Sequence, residues 1–205
     1  MYLTHPARPI HGGPLDIAIT KPLFLDPDIY GDRRAELKLN GFRVEADRAE
    51  KILYNRHGEI LSISSEFSEA LDLLHALPKR FPRHMDCEGL ERRHGYMRGS
   101  LIVLDVMIPD ATYTERRDIM ERDIASLANK DFARENAVRA VASHPLREAW
   151  EVYPHAQFVN RQLGLTGLNV FFEGILLKQV ASKYPIQLVD AKREFKDWAK
   201  YKWSS

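Results

Sequence analysis

The sequence predicts an α+β fold, with N-terminal antiparallel β-hairpins and a central strand packed against a C-terminal set of about five helices. Three observations predict it. Short runs with period-two alternation dominate the first half. An Asn40-Gly41 pair stands between two of them. Beyond Pro109, apolar residues recur at helical spacing between Pro and Gly breaks. Because the central strand and the most apolar helix both need partners, the 205 residues are read as a single domain over 1–205. The alternative boundary lies near 109, with a β-rich part over 1–109 and a helical part over 110–205.

The first 30 or so residues are rich in Pro and Gly, and only Leu15–Thr20 alternates like a strand. Ala35–Leu39 and Phe42–Ala46 then flank Asn40-Gly41. Asn-Gly suits the positive φ angles of a two-residue type I′ turn, so the spacing predicts a hairpin. A second hairpin is predicted from Lys51–Asn55 and Glu59–Ser64, turning at Arg56-His57-Gly58. Ser65 is placed to cap a helix over Glu66–Leu77, which Pro78 ends. Residues 78–99 show no clear period. Leu101–Ile108 is a short apolar run bounded by Gly99 and Pro109, which reads as a buried strand.

Thr112-Tyr113-Thr114-Glu115 matches a capping box and opens a helix to about Ala128. Helices follow over Phe132–Ser143, Leu146–Val152 and Pro154–Gly164. Gly167–Tyr184 is apolar nearly all round, which reads as a central helix. Leu188, Ala191, Phe195 and Trp198 predict a last amphipathic helix over Leu188–Trp203.

Composition narrows the function classes. Hydrophobic residues at 44% and charged residues at 29% exclude a fully disordered chain. Thirty basic residues against 29 acidic ones give +1, so any nucleic-acid contact must come from a local patch. One cysteine, Cys87, excludes an intrachain disulfide framework and an all-cysteine zinc site. The N-terminus lacks the pattern of a secretory signal, and no apolar run nears the ~20 residues that span a bilayer. A cytoplasmic location with no membrane partner is expected. No phosphate-binding GxxxxGK[ST] loop, GxGxxG turn, HExxH pair, GxSxG elbow or paired CxxC occurs.

The candidate surface is the basic stretch over 78–98, read as a loop with Arg80, Arg83, Arg92, Arg93, Tyr96 and Arg98 available to a partner. Tyr201 and Trp203 at the chain end are further contact candidates. His84, Cys87 and His94 are of metal-ligand type, but their spacing fits no zinc pattern. Asp105 interrupts an apolar run, where a carboxylate is costly unless paired. With Glu88, Glu91 and His94 it makes the candidate catalytic set of an enzyme. Glu173, with Asn169 one turn earlier, is read as a solvent-facing stripe on the central helix.

These features lead to an expectation of a non-catalytic protein-binding module with no cofactor. An inhibitor, an immunity or counter-defence protein, or an adaptor of a bacterium or bacterial mobile element would fit, with another protein as its partner. The alternative is a phosphate-handling or nucleic-acid-processing enzyme, or a nucleic-acid-binding protein, using the basic 78–98 stretch.

Overall fold

Period-two alternation governs more of this chain than helical spacing does. A computed structural model describes residues 6–14, 32–90, 97–128, 137–186 and 194–203. Ten strands run as β1 (Arg8–Pro14), β2 (Arg33–Leu39), β3 (Phe42–Asp47), β4 (Ile52–Asn55), β5 (His84–Leu90), β6 (Ser100–Val106), β7 (Val138–Ala140), β8 (Ser143–Pro145), β9 (Phe172–Gln179) and β10 (Glu194–Lys202). Three α-helices accompany them among the described residues: α1 (Ser68–His75), α2 (Tyr113–Ala128) and α3 (Leu146–Gln162), with short 3-10 turns at Ser62–Phe67 and Gly167–Asn169. The strands form two five-stranded sheets, ordered β4-β3-β5-β6-β7 and β1-β10-β9-β2-β8. The chain divides into two units, one from Met1–Ala7, Gly41–Val141 and Lys183–Arg193, the other from Arg8–Asn40, Ala142–Ser182 and Glu194–Ser205.

In the first unit, alternation sends Val44 and Ala46 of β3, Met85 and Cys87 of β5 and Val103 of β6 to one face. Leu71 and Leu74 of α1 and Met120 and Ile124 of α2 cover it. The capping box expected at Thr112 is present: Thr112 Oγ1 accepts from the Glu115 amide at 3.3 Å, and Glu115 Oε2 accepts from the Thr112 amide at 2.7 Å. The other face of the sheet carries Arg43, Glu45 and Asp47 of β3 opposite Glu88, Asp86 and His84 of β5.

In the second unit, α3 lays Leu146 and Tyr153 over Ala35, Ile175, Leu177, Ala199 and Tyr201. Period two then assigns Glu36 and Lys38 of β2, Lys178 of β9 and Lys200 and Lys202 of β10 to the opposite face.

The structure overturns the predicted set of about five C-terminal helices. Gly167–Tyr184 holds the 3-10 turn Gly167–Asn169 and strand β9, and Leu188–Trp203 holds β10. A run apolar on all sides fits a buried helix or a buried strand equally well. Here β9 lies between β10 and β2 and is buried on both faces, so both readings were open to periodicity. The helix read over Phe132–Ser143 is overturned in its described part, which carries β7 and the first residue of β8. Leu146–Gln162 is one helix with Pro154 inside it. The strand read at Leu15–Thr20 lies outside the described residues.

The first hairpin is also corrected. β2 and β3 form where alternation places them, but β2 pairs with β8 and β9, and β3 pairs with β4 and β5. Asn40-Gly41 is the point where the chain passes from one unit to the other, and neither residue has positive φ. The second hairpin keeps its turn but not its second strand over Glu59–Ser64, where Ser62–Phe67 forms a 3-10 turn instead. Gly58 has φ 84°, and Tyr54 and Ile60 form a single antiparallel bridge.

Candidate active site

The second sheet brings four lysines and two glutamates to one face. Its geometry turns on a β-bulge. Leu39 faces Phe172 and Lys38 faces Gly174, so Glu173 is an extra residue on β9 with no partner on β2. A bulge re-aims the side chain it carries. Glu173 Oε1 forms an ion pair with Lys38 Nζ, and its Oε2 accepts from Lys202 Nζ at 2.8 Å. Gly174 permits this arrangement, because a Cβ there would land on the Tyr201 carbonyl oxygen of β10.

The electrostatics follow from that placement. Burial pushes the Glu173 pKa up, but the charges and hydrogen bonds of Lys38 and Lys202 outweigh it and hold the carboxyl below its usual range. Lys200 moves down, first through burial and then through the nearby charges of Lys38, Arg8 and Lys202. Beyond it, Lys178 and Glu36 form a fully buried ion pair at 3.0 Å. Lys178 Nζ also sits 4.4 Å from the centroid of the Trp198 ring, whose Nε1 donates to Ser182 Oγ at 3.1 Å. Such a face attracts an anion, and a lysine amine oriented by a carboxylate is a nucleophile of known type.

The first unit holds a separate buried network. Arg43 donates to both carboxylate oxygens of Asp86, and Tyr184 Oη donates to Asp86 Oδ2 at 2.6 Å. The Ala7 amide donates to Tyr184 Oη at 3.3 Å. Burial and the Asp86 charge push the Tyr184 hydroxyl well up, so it stays a neutral donor.

Of the described residues offered from sequence as site candidates, Tyr201 and Trp203 lie in the second unit and the others in the first, where Asp105, Glu88 and His84 each meet a different partner. Asp105 is buried and accepts from Arg116 Nε at 2.8 Å and Nη2 at 3.1 Å. Glu88 accepts from the Gly41 amide at 2.9 Å. His84 Nδ1 lies 2.8 Å from Glu45 Oε1. Cys87 faces the core, opposite in parity to His84, and burial pushes its thiol well up. Among the described residues, no group of three or more His, Cys, Asp or Glu is placed to hold a metal ion. The stretch read as a loop over 78–98 includes strand β5, and Glu91, Arg92, Arg93, His94 and Tyr96 lie outside the described residues. Arg80 pairs with Asp123 at 2.7 Å, Arg83 with Asp47 at 2.7 Å, and Arg98 approaches Glu66 at 3.7 Å. Tyr201, expected as an exposed contact, is buried in the second unit's core. Trp203 is half-buried against Tyr153, at 5.2 Å between ring centroids.

Sequence reasoning missed Lys38, Lys178, Lys200 and Lys202 as site residues, and it set Glu173 beside Asn169 on a helix where the structure pairs it with Lys38 and Lys202. One signal was present. Over Trp198–Lys202 the order Trp-Ala-Lys-Tyr-Lys alternates strictly, which marks a strand with Lys200 and Lys202 on one face.

No protein-family model and no curated protein matches the chain. Solved structures do. The ligase domain of LigD from M. tuberculosis aligns at a TM-score of 0.57 and 16% identity, over 98% of this chain and 59% of that one. The Chlorella virus DNA ligase-adenylate aligns at 0.55 and 16%, over 96% and 69%. An archaeal ATP-dependent RNA ligase aligns at 0.53 and 16%, over 98% and 48%. This chain therefore spans about three fifths of the length of the mycobacterial domain. At such identities the likeness is one of fold. The chain shares the fold of these ligase structures, and that likeness runs against the expectation of a non-catalytic inhibitor or adaptor. No helix among the described residues is long and apolar enough to cross a membrane.

Proposed function

We propose that this chain is the nucleotidyl-transfer domain of an ATP-dependent polynucleotide ligase, with Lys38 as its nucleophile. The Lys38 ammonium passes one proton to Glu173, its neutral nitrogen attacks the α-phosphorus of ATP, pyrophosphate leaves and takes up the second proton, and AMP stays bound through a phosphorus–nitrogen bond. Lys200 and Lys202 offset charge on the phosphate oxygens, and Glu173 holds the amine in line. The acceptor of the activated AMP is a phosphate-bearing nucleic-acid end.

One observation carries this reading. A half-buried lysine amine is aimed by a bulged glutamate on a lysine-rich sheet face, in a chain that aligns over nearly its whole length with ligase domains. The test is incubation with ATP labelled at the α-phosphate, followed by denaturing electrophoresis. Label is expected on the wild-type protein and absent from Lys38→Arg. Label that persists in Lys38→Arg, or none on the wild type with any nucleoside triphosphate, overturns the reading.

A further inference from the structure

Just before the bulge, the chain passes through a clamp built by two asparagine side chains. Asn160, near the C-terminal end of α3, is only 5% exposed. Its Oδ1 accepts from the Phe171 amide at 2.9 Å and the Phe172 amide at 3.0 Å, and its Nδ2 donates to the Phe172 carbonyl at 2.8 Å. Asn40, next to β2, grips the same segment from the other side. Its amide donates to the Phe171 carbonyl at 3.0 Å and its Nδ2 to the Val170 carbonyl at 2.9 Å. Five consecutive backbone groups, from the Val170 carbonyl to the Phe172 carbonyl, are thus held by these two residues. The next residue is Glu173.

We propose that Asn160 is a positioning residue, which pins the Phe171–Phe172 backbone so that the bulged Glu173 is held against Lys38. The inference rests on the reading of Lys38 as the nucleophile for its catalytic consequence, while its geometric part stands on the clamp. A bulge is a choice of register, and a slip of one residue sends every side chain of the strand to the other face. The ladder on β2 does not choose the register at Glu173, because Glu173 has no partner there. On the β10 side the Trp203 amide donates to the Glu173 carbonyl at 3.2 Å, and the α3 side chain fixes the two residues that lead into it. An amide suits the task, since its oxygen accepts two N–H bonds while its nitrogen donates one. The charged groups that meet Glu173 are Lys38 from β2 and Lys202 from β10, so its ionisation reports whether it is seated between them.

The experiment compares wild type, Asn160→Ala, Asn160→Asp, Glu173→Gln and the double variant Asn160→Ala/Glu173→Gln in the full chain. Two quantities are read. The first is the titration midpoint of the Glu173 carboxyl, by carbon NMR of glutamate-labelled protein, with Glu173→Gln assigning the signal. The second is the single-turnover rate of protein–AMP formation at saturating ATP. In Asn160→Ala the midpoint should rise toward that of an ordinary glutamate, and the rate should fall about 10- to 100-fold with a small change in KM. Asn160→Asp keeps the two accepted bonds and should fall between wild type and Asn160→Ala on both readings, which also decides the matter if Asn160→Ala does not fold. The double variant should be no slower than Glu173→Gln, because the asparagine acts through the glutamate. An unchanged Glu173 midpoint in both Asn160 variants, or rate losses that multiply in the double variant, overturns the inference. A wild type that forms no protein–AMP overturns the proposed function instead, and the carboxyl titration still decides the role of Asn160.

Discussion

Asp47 has no exposed side-chain surface, yet its partner Arg83 stands partly in solvent. Arg83 donates to both carboxylate oxygens, at 2.8 and 2.7 Å. Burial pushes the Asp47 pKa up, but the Arg83 hydrogen bond and the other donors outweigh it and hold the carboxyl well below its usual range. A carboxyl whose native pKa is depressed adds stability above the ordinary value, and that stability is lost as pH falls through and below it. Wild type should therefore be clearly more stable than Arg83→Ala at neutral pH, and the gap should close below about pH 4. Urea midpoints at pH 7 and pH 3 check this; a gap that does not change with pH refutes it. Gly41 shows a different residue-level lesson. Its φ is not positive, but a Cβ there would come within 2.5 Å of the Gly89 carbonyl oxygen. The glycine serves close approach to β5, not a type I′ turn.

At the level of elements, β9 and β10 meet at Gly174, where the backbones come too close for any Cβ. Both strands also carry the site: Glu173 sits beside that glycine, and Lys202 lies opposite it in the ladder. Gly174→Ala must push β10 away or tilt the bulge, and overpacking of this kind costs about 1–3 kcal/mol. The expected outcome is a lower urea midpoint together with loss of protein–AMP formation. A variant with wild-type labelling would show that the approach of β9 to β10 does not set the lysine–glutamate geometry. Helix α3 adds to both functions of this unit. It covers the core face with Leu146 and Tyr153, and with Asn160 it reaches the edge of the site.

At the level of the whole molecule, a formal charge of +1 argued against nucleic acid as a general partner, but the charge that matters is local. Four lysines share one face of the second sheet with two glutamates, Glu36 and Glu173, which leaves that cluster net positive. If the activated AMP passes to a nucleic-acid end, adding a nicked duplex with a phosphate at the nick should discharge label from the isolated protein–AMP. DNA and RNA duplexes tested side by side would separate the two substrate classes. Label that stays on the protein with both would exclude nicked duplexes as acceptors.

Much of the local structure was legible in the residues. Whereas α1 starts at Ser68 without the cap expected of Ser65, the alternating runs at β2 and β3, the buried run at β6 and the capping box of α2 form where local pattern and cap chemistry place them. Local signals suffice there because each concerns neighbours in sequence. Pairing was not legible. Asn40-Gly41 has the composition of a hairpin turn, yet β2 joins β9 from more than a hundred residues away, and the gain from burying β9 on both faces overrides the local preference. The site was hidden for the same reason. Lys38, Glu173 and Lys202 come from three distant strands, and only the bulge brings Glu173 onto the lysine face. Asp105, conspicuous as a carboxylate in an apolar run, is bonded to Arg116 eleven residues along. A buried charge draws attention in a sequence, but what answers it is a matter of tertiary contact, because the compensating group need only be near in space.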